Sequence, residues 1–141
     1  VEKHGKPLYD MLDKLDRKVF FVFGGTDAVD REKVREIVER EKDAIIVASF
    51  GTFSTGVNIK RLHNIVFSSP SKSKIRNLQS IGRGLRKGND KDDVVLYDIA
   101  DDLSHNKNTN YTLRHFSERI NIYSKENFTY EIHSVRIPKC Q

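Results

Sequence analysis

The residues best suited to chemistry lie in one stretch, Gln79-Ser80-Ile81-Gly82-Arg83-Gly84-Leu85-Arg86. Arg83 and Arg86 are three residues apart, so on a helix they point the same way. A guanidinium is permanently charged and forks onto phosphate oxygens through two parallel hydrogen bonds. Two such groups aimed at one point fit a polyphosphate on which charge develops. Gly82 and Gly84 flank Arg83 and let another backbone or a ligand come close. Ile75, Leu78, Ile81 and Leu85 recur at helical spacing, so the opposite face can pack inward. The competing reading is a surface helix with two solvated arginines, the usual fate of arginine.

A second stretch, Ala48-Ser49-Phe50-Gly51-Thr52-Phe53-Ser54-Thr55-Gly56-Val57-Asn58, places small hydroxyl residues where an apolar run ends. A helix starting there would offer free N–H groups and a positive dipole end, a ready phosphate site. Ser49, Thr52, Ser54 and Thr55 add hydroxyl donors without bulk, Gly56 permits a tight turn, and Asn58 offers an amide. An ordinary Ser/Thr-capped strand-to-helix loop reads the same way.

Charge points to the same part of the chain. The whole carries a formal +5, but residues 60 to 91 hold nine Lys or Arg and one acid, a net of +8, leaving −3 for the remainder. A local basic field of this kind suits nucleic acid, nucleotide or both. Other classes are excluded or disfavoured. No apolar run approaches the length a bilayer needs, and no signal peptide is expected. Cys140 is the one cysteine and the five histidines are scattered, so neither a disulfide framework nor a zinc site is expected. The missing disulfides fit an intracellular setting.

The elements that must position these residues alternate between strand and helix. Pro7 to about Asp16 reads as a helix with proline at its first position and Leu8, Met11, Leu12 and Leu15 on one face. Val19 to Phe23 is an apolar run ending at Gly24-Gly25, a buried strand. A helix follows from Ala28 to Arg40, capped by Asp27, with Val34, Ile37 and Val38 inward. Strands are expected at Ala44–Ala48, Asn64–Phe67 and Val94–Ile99, with a short helical segment over Thr52–Thr55. The helix bearing Gln79 falls between the last two strands. After a polar loop over 104–110, Tyr111 to Lys125 reads as a helix with Leu113, Phe116, Ile120 and Tyr123 on one side. Alternating Phe128, Tyr130 and Ile132 suggest a terminal strand. The fold class expected is α/β, a parallel sheet with helices on both faces and a short C-terminal helix-strand extension. Ligands of such sheets sit beyond the carboxyl ends of the strands, where the glycines and hydroxyls of this chain are concentrated.

Gln79-x-x-Gly82-Arg83-x-x-Arg86 resembles motif VI of the superfamily 2 helicases and translocases, whose last arginine is the family's arginine finger. The Ser49–Asn58 stretch is similar to motif V, in which Ser or Thr residues touch the nucleic-acid backbone. Gly56-Val57-Asn58 stands where the family has Gly-x-Asp near the nucleotide; the asparagine keeps hydrogen bonding and removes the negative charge. Gly24-Gly25-Thr26 with Asp30-Arg31 resembles motif IVa, and residues 1–5 the tail of motif IV. The tail, with Phe116-x-x-Arg119-Ile120 and Phe128-x-Tyr130, is similar to that of a phage helicase in this superfamily.

The resemblance implies that residues 1–102 are the second RecA-like, P-loop NTPase-like motor domain, its first strand lying upstream, with 103–141 an extension packed on it. It implies catalytic roles for Arg86 and Arg83 and nucleotide contacts from Gln79, Gly56 and Asn58. It further implies nucleic-acid contacts from Ser49, Thr52, Ser54, Thr55, Gly25, Lys72 and Lys74. ATP and Mg²⁺ would be held mainly by an N-terminal RecA-like domain of the same polypeptide, because no Gly-x-x-x-x-Gly-Lys-Ser/Thr and no Asp-Glu pair occurs in this chain. The expected partners are DNA or RNA and that domain, with no membrane; the expected location is the cytoplasm, a host's if the protein is phage-encoded. The chain starts at Val1 and runs almost at once into a helix, as a fragment of a longer protein would, and alone it is expected not to hydrolyse ATP. A restriction or remodelling translocase motor is one alternative, and a nucleic-acid-binding module that never meets ATP is the other.

Overall fold

The computed structural model describes residues 2–52, 59, 61–69, 78, 82, 94–103 and 110–136. In chain order the elements are α1 (Glu2–Leu12), β1 (Lys18–Val22), α2 (Ala28–Arg40), β2 (Ala44–Ala48), β3 (Asn64–Phe67), β4 (Val95–Asp98) and α3 (Tyr111–Lys125). The strands form two parallel pairs. β1 lies on β2 with Lys18 opposite Ala44 and Val22 opposite Ala48. β3 lies on β4 with Asn64 opposite Val95 and Phe67 opposite Asp98. The expected α/β class with parallel strands is therefore present, in two-stranded sheets.

Side-chain alternation along β1 decides what covers it. Phe20 and Val22 point to one face, where Val34 and Val38 of α2, together with Ala44, Ile46, Ala48, Ile59 and Leu62, close a core. Phe21 points to the other face, against Tyr9 of α1 at a ring distance of 5.8 Å. The first pair thus has a helix on each side. α2 begins as its sequence dictates: Asp27 is extended and its carboxylate accepts from the Asp30 amide at 2.8 Å. Ile37, expected to face inward, is instead exposed, because Val34 and Val38 alone fill the stripe over β1 and β2.

The first helix departs from expectation. It starts at Glu2, carries Pro7 in its interior and stops at Leu12. Proline there forfeits one backbone bond. Docking of the preceding turn offsets this: Gly5 lies so close to Phe21 that an added Cβ would come within 2.9 Å of Cε2. His4 Nε2 also donates to the Ser68 carbonyl at 3.0 Å. Leu15 falls beyond the helix and is exposed, as is Met11.

The second pair is covered on one face by α3. Ile65, Phe67 and Leu96 meet Ile120, Tyr123 and Phe128, with Phe50 joining from the end of β2. Val66, Val95, Tyr97 and Ile99 lie on the other side of this pair and are each about half exposed. α3 ends in a Schellman turn: Asn127 takes φ 56°, its amide donates to Ser124 O, and the Phe128 amide donates to Tyr123 O at 3.0 Å. The strand expected over Phe128–Ile132 is absent among the described residues. That segment is irregular: Phe128 turns back onto Tyr123, the Tyr130 hydroxyl lies 3.0 Å from Ser124 Oγ of α3, and Ile132 is exposed.

Candidate functional site

The carboxyl ends of the four strands hold the part of the expected site that the structure describes. β1 ends in a turn over Phe23–Thr26, closed by Thr26 N donating to Phe23 O at 3.0 Å and Phe23 N donating to Thr26 Oγ1 at 3.1 Å. Gly25 sits exposed in that turn, and a Cβ there would come within 2.7 Å of Phe23 Cε2. The missing side chain lets the Phe23 ring fold over the turn and stack on Phe21 at 5.2 Å.

Ser49 follows β2 and extends its pairing, its amide donating to Val22 O at 3.2 Å. Residues 50–52 are helical, so the helix starts two residues earlier than expected, with Ser49 at its N-cap. Ser49 Oγ accepts from the Thr52 amide at 3.2 Å and lies 2.7 Å from Thr52 Oγ1. Thr52 is 5% exposed, with its hydroxyl turned onto Ser49 rather than outward. The register of β1 and β2 brings Gly25 and Ser49 to the same edge. Phe50 then crosses to the second pair, its ring 5.1 Å from that of Phe67.

Ser54, Thr55, Gly56, Asn58, Lys72, Lys74, Gln79, Arg83 and Arg86 lie outside the described residues. Within their stretch Leu78 and Gly82 are described and both are helical. A Cβ added at Gly82 would meet nothing within 4 Å. Arg61, counted in the basic segment, is committed internally: its Nη1 donates to the Glu39 carbonyl in the last turn of α2 at 3.1 Å.

The apolar pattern of the sequence missed a buried polar network at the end of β4. Arg119 Nε and Nη2 donate to Asp98 Oδ2 and Oδ1, both at 2.7 Å. The Tyr123 hydroxyl donates to Asp98 Oδ2 at 2.8 Å. Arg119 is 1% exposed, and Asp98 and Tyr123 are buried with it. Burial, the hydrogen bond to Asp98 and the charge of Asp98 push the Tyr123 phenol well above its ordinary range. The available signal was the i, i+4 spacing of Arg119 and Tyr123, with an acid closing an apolar strand. Asp98 is thereby satisfied and closed to a ligand. Among the described residues no cluster of His, Cys, Asp or Glu could hold a metal ion. None of the helices described is long and apolar enough to cross a membrane.

Comparison with known proteins adds kinship. The chain is 38% identical over 144 residues to the ATP-dependent DNA helicase UvsW of Enterobacteria phage T4, a match covering 95% of this chain and 29% of that protein. It therefore spans less than a third of that relative's length. The crystal structure of the C-terminal part of the Fun30 ATPase domain superposes with a TM-score of 0.59 at 17% identity, covering 85% of this chain and 44% of that one. That likeness is one of fold. No family model matches the chain.

Proposed function

The chain belongs by sequence with the UvsW-type helicases, and from that premise we propose that it is the C-terminal, RecA-like motor domain of an ATP-dependent superfamily 2 helicase acting on DNA or RNA. The observation that carries this reading is sequence kinship along nearly the whole chain, the Gln79–Arg86 stretch included.

The work is done across a cleft. An N-terminal RecA-like domain of the same polypeptide holds the phosphates of ATP, Mg²⁺ and the attacking water. This domain brings Arg86 and Arg83 to the γ-phosphate, where charge spreads over the transferring group. Gln79, Gly56 and Asn58 sense the nucleotide and couple it to closure. Ser49, Ser54, Thr55, Gly25, Lys72 and Lys74 grip the nucleic-acid backbone, with Thr52 acting through its bond to Ser49. Such contacts position without reading sequence. Residues 103–141 form an extension on the same domain. A phage-encoded protein of this kind would act in the host cytoplasm.

The deciding experiment is Arg86→Lys in the intact protein. Lysine keeps the charge but cannot fork onto two phosphate oxygens. An arginine finger contributes about 10³ to 10⁵ in rate, so ATP turnover should collapse while ATP and nucleic-acid binding persist. Near-normal turnover in a folded variant would overturn the reading and favour a plain basic nucleic-acid-binding module.

A further inference from the structure

The Gln79–Arg86 stretch lies between β3 and β4 in sequence, and β4 is the strand that follows it, at Val95. β4 is held from two sides. Its register on β3 places Asp98 opposite Phe67, and the Ile99 amide donates to Phe67 O at 3.1 Å. From the covered face of the pair, α3 grips Asp98 through Arg119 and Tyr123. The start of α3 is tied to the same segment, since Asn110 Nδ2 and Thr112 Oγ1 both donate to the Asp101 carbonyl, at 2.9 and 2.6 Å.

Apolar packing between α3 and the sheet already glues the two together, and a buried ion pair adds little to stability over an apolar pair of similar size. A two-pronged bond supplies something apolar contacts lack. Leucines can slide past one another, whereas a carboxylate meets a guanidinium fork edge-on in one axial position.

We propose that the Asp98–Arg119–Tyr123 network is a positioning device, which fixes β4, the strand that follows the Arg83–Arg86 stretch in sequence, along the axis of α3, and that the action of those arginines depends on β4 being held there. Arg119 and Tyr123 are positioning residues that touch neither nucleotide nor nucleic acid. The C-terminal extension is thus a working part of the motor. This inference rests on the reading of Arg86 given above.

The test uses the intact protein and three variants, Arg119→Lys, Tyr123→Phe and the double replacement Asp98→Leu/Arg119→Met, assayed well below their melting temperatures. Misplacing a reacting group by about 1 Å costs on the order of 100-fold, so Arg119→Lys should lower kcat for ATP by about 10- to 100-fold with KM for ATP unchanged. Tyr123→Phe, which removes one bond and no charge, should lower kcat in the same direction by less and guards against a lysine variant that does not fold. The double variant should regain thermal stability through apolar packing and keep a low kcat. Parental kcat in folded Arg119→Lys, or kcat that returns together with stability in the double variant, would overturn the inference and leave the network as glue. Arg86→Lys, run alongside, separates the two claims. Its failure to lower kcat sinks the functional reading, whereas its loss of activity beside a fully active Arg119→Lys sinks this inference alone.

Discussion

The guanidinium of Arg119 meets the carboxylate of Asp98 edge-on, Nε and Nη2 each 2.7 Å from a different oxygen, across twenty-one positions of sequence. The pair joins the last strand to the last helix at 1% and 8% side-chain exposure. Two buried charges in this geometry are tolerable only together, because either one alone would be stranded away from water.

Removing one partner should therefore cost far more than removing both. Arg119→Ala is expected to destabilise the domain by about 3 to 5 kcal/mol. Asp98→Leu/Arg119→Met should recover most of that loss. Urea denaturation of the three proteins measures the difference, and a double variant no more stable than Arg119→Ala would contradict the pairing.

The raised Tyr123 pKa has a direction in pH. A phenol that holds its proton more tightly when folded contributes stability that is full below its unfolded value, near 10, and is lost as pH rises through the folded value. The intact domain should weaken above about pH 10. Tyr123→Phe should be less stable at neutral pH and show a flatter alkaline limb. Parallel limbs in parent and variant would show that Tyr123 does not couple to the fold in this way.

Asn127 occupies the left-handed position that closes α3, with φ 56°. Glycine takes that conformation freely and alanine does so at a cost of about 1 kcal/mol. Asn127→Ala should lower the melting temperature, and Asn127→Gly should leave it level or raise it. A melt in which the two variants coincide would mean that the turn relaxes.

Gly82 offers a sharper separation of fold from function. It is helical and exposed, and a Cβ there meets open space within this chain. Gly82→Ala should stabilise the domain by up to about 1 kcal/mol through helix propensity. If the nucleotide or the N-terminal domain closes against this point, the same methyl should lower ATP turnover in the intact protein. Unchanged turnover would show that nothing approaches Gly82 closely.

Much of this architecture was legible in advance. α2, β2, β3 and α3 run between the residues that the sequence marks, because their apolar spacing and the Asp27 cap agree locally with the packing. Pro7 misled because a proline inside a helix is acceptable only where tertiary contacts hold the turn before it, and Phe21 and Ser68 are remote in sequence. Phe128, Tyr130 and Ile132 alternate like a strand but pair with no strand among the described residues, which alternation alone cannot reveal. On α3 the apolar count found Ile120 and Tyr123 and passed over His115 and Arg119, which are buried more deeply than Leu113 and Phe116. Polar residues that enter a core do so through their partners, and partners are set by the fold. In the candidate site, Ser49 and Gly25 share one strand edge, while the inward turn of Thr52 follows from the N-cap geometry of Ser49.

The bond from His4 to Ser68 spans sixty-four positions. On a chain made from its N-terminus onward, α1 emerges long before the carbonyl it leans on exists. Its first turn, which precedes Pro7, then has only the contact of Gly5 with Phe21 to hold it, since a short isolated helix is marginal in water. Until β3 joins the fold that turn rests on Phe21 alone, and the His4 bond is among the last contacts to close. The amides of that turn should be among the first to exchange with solvent in the finished protein.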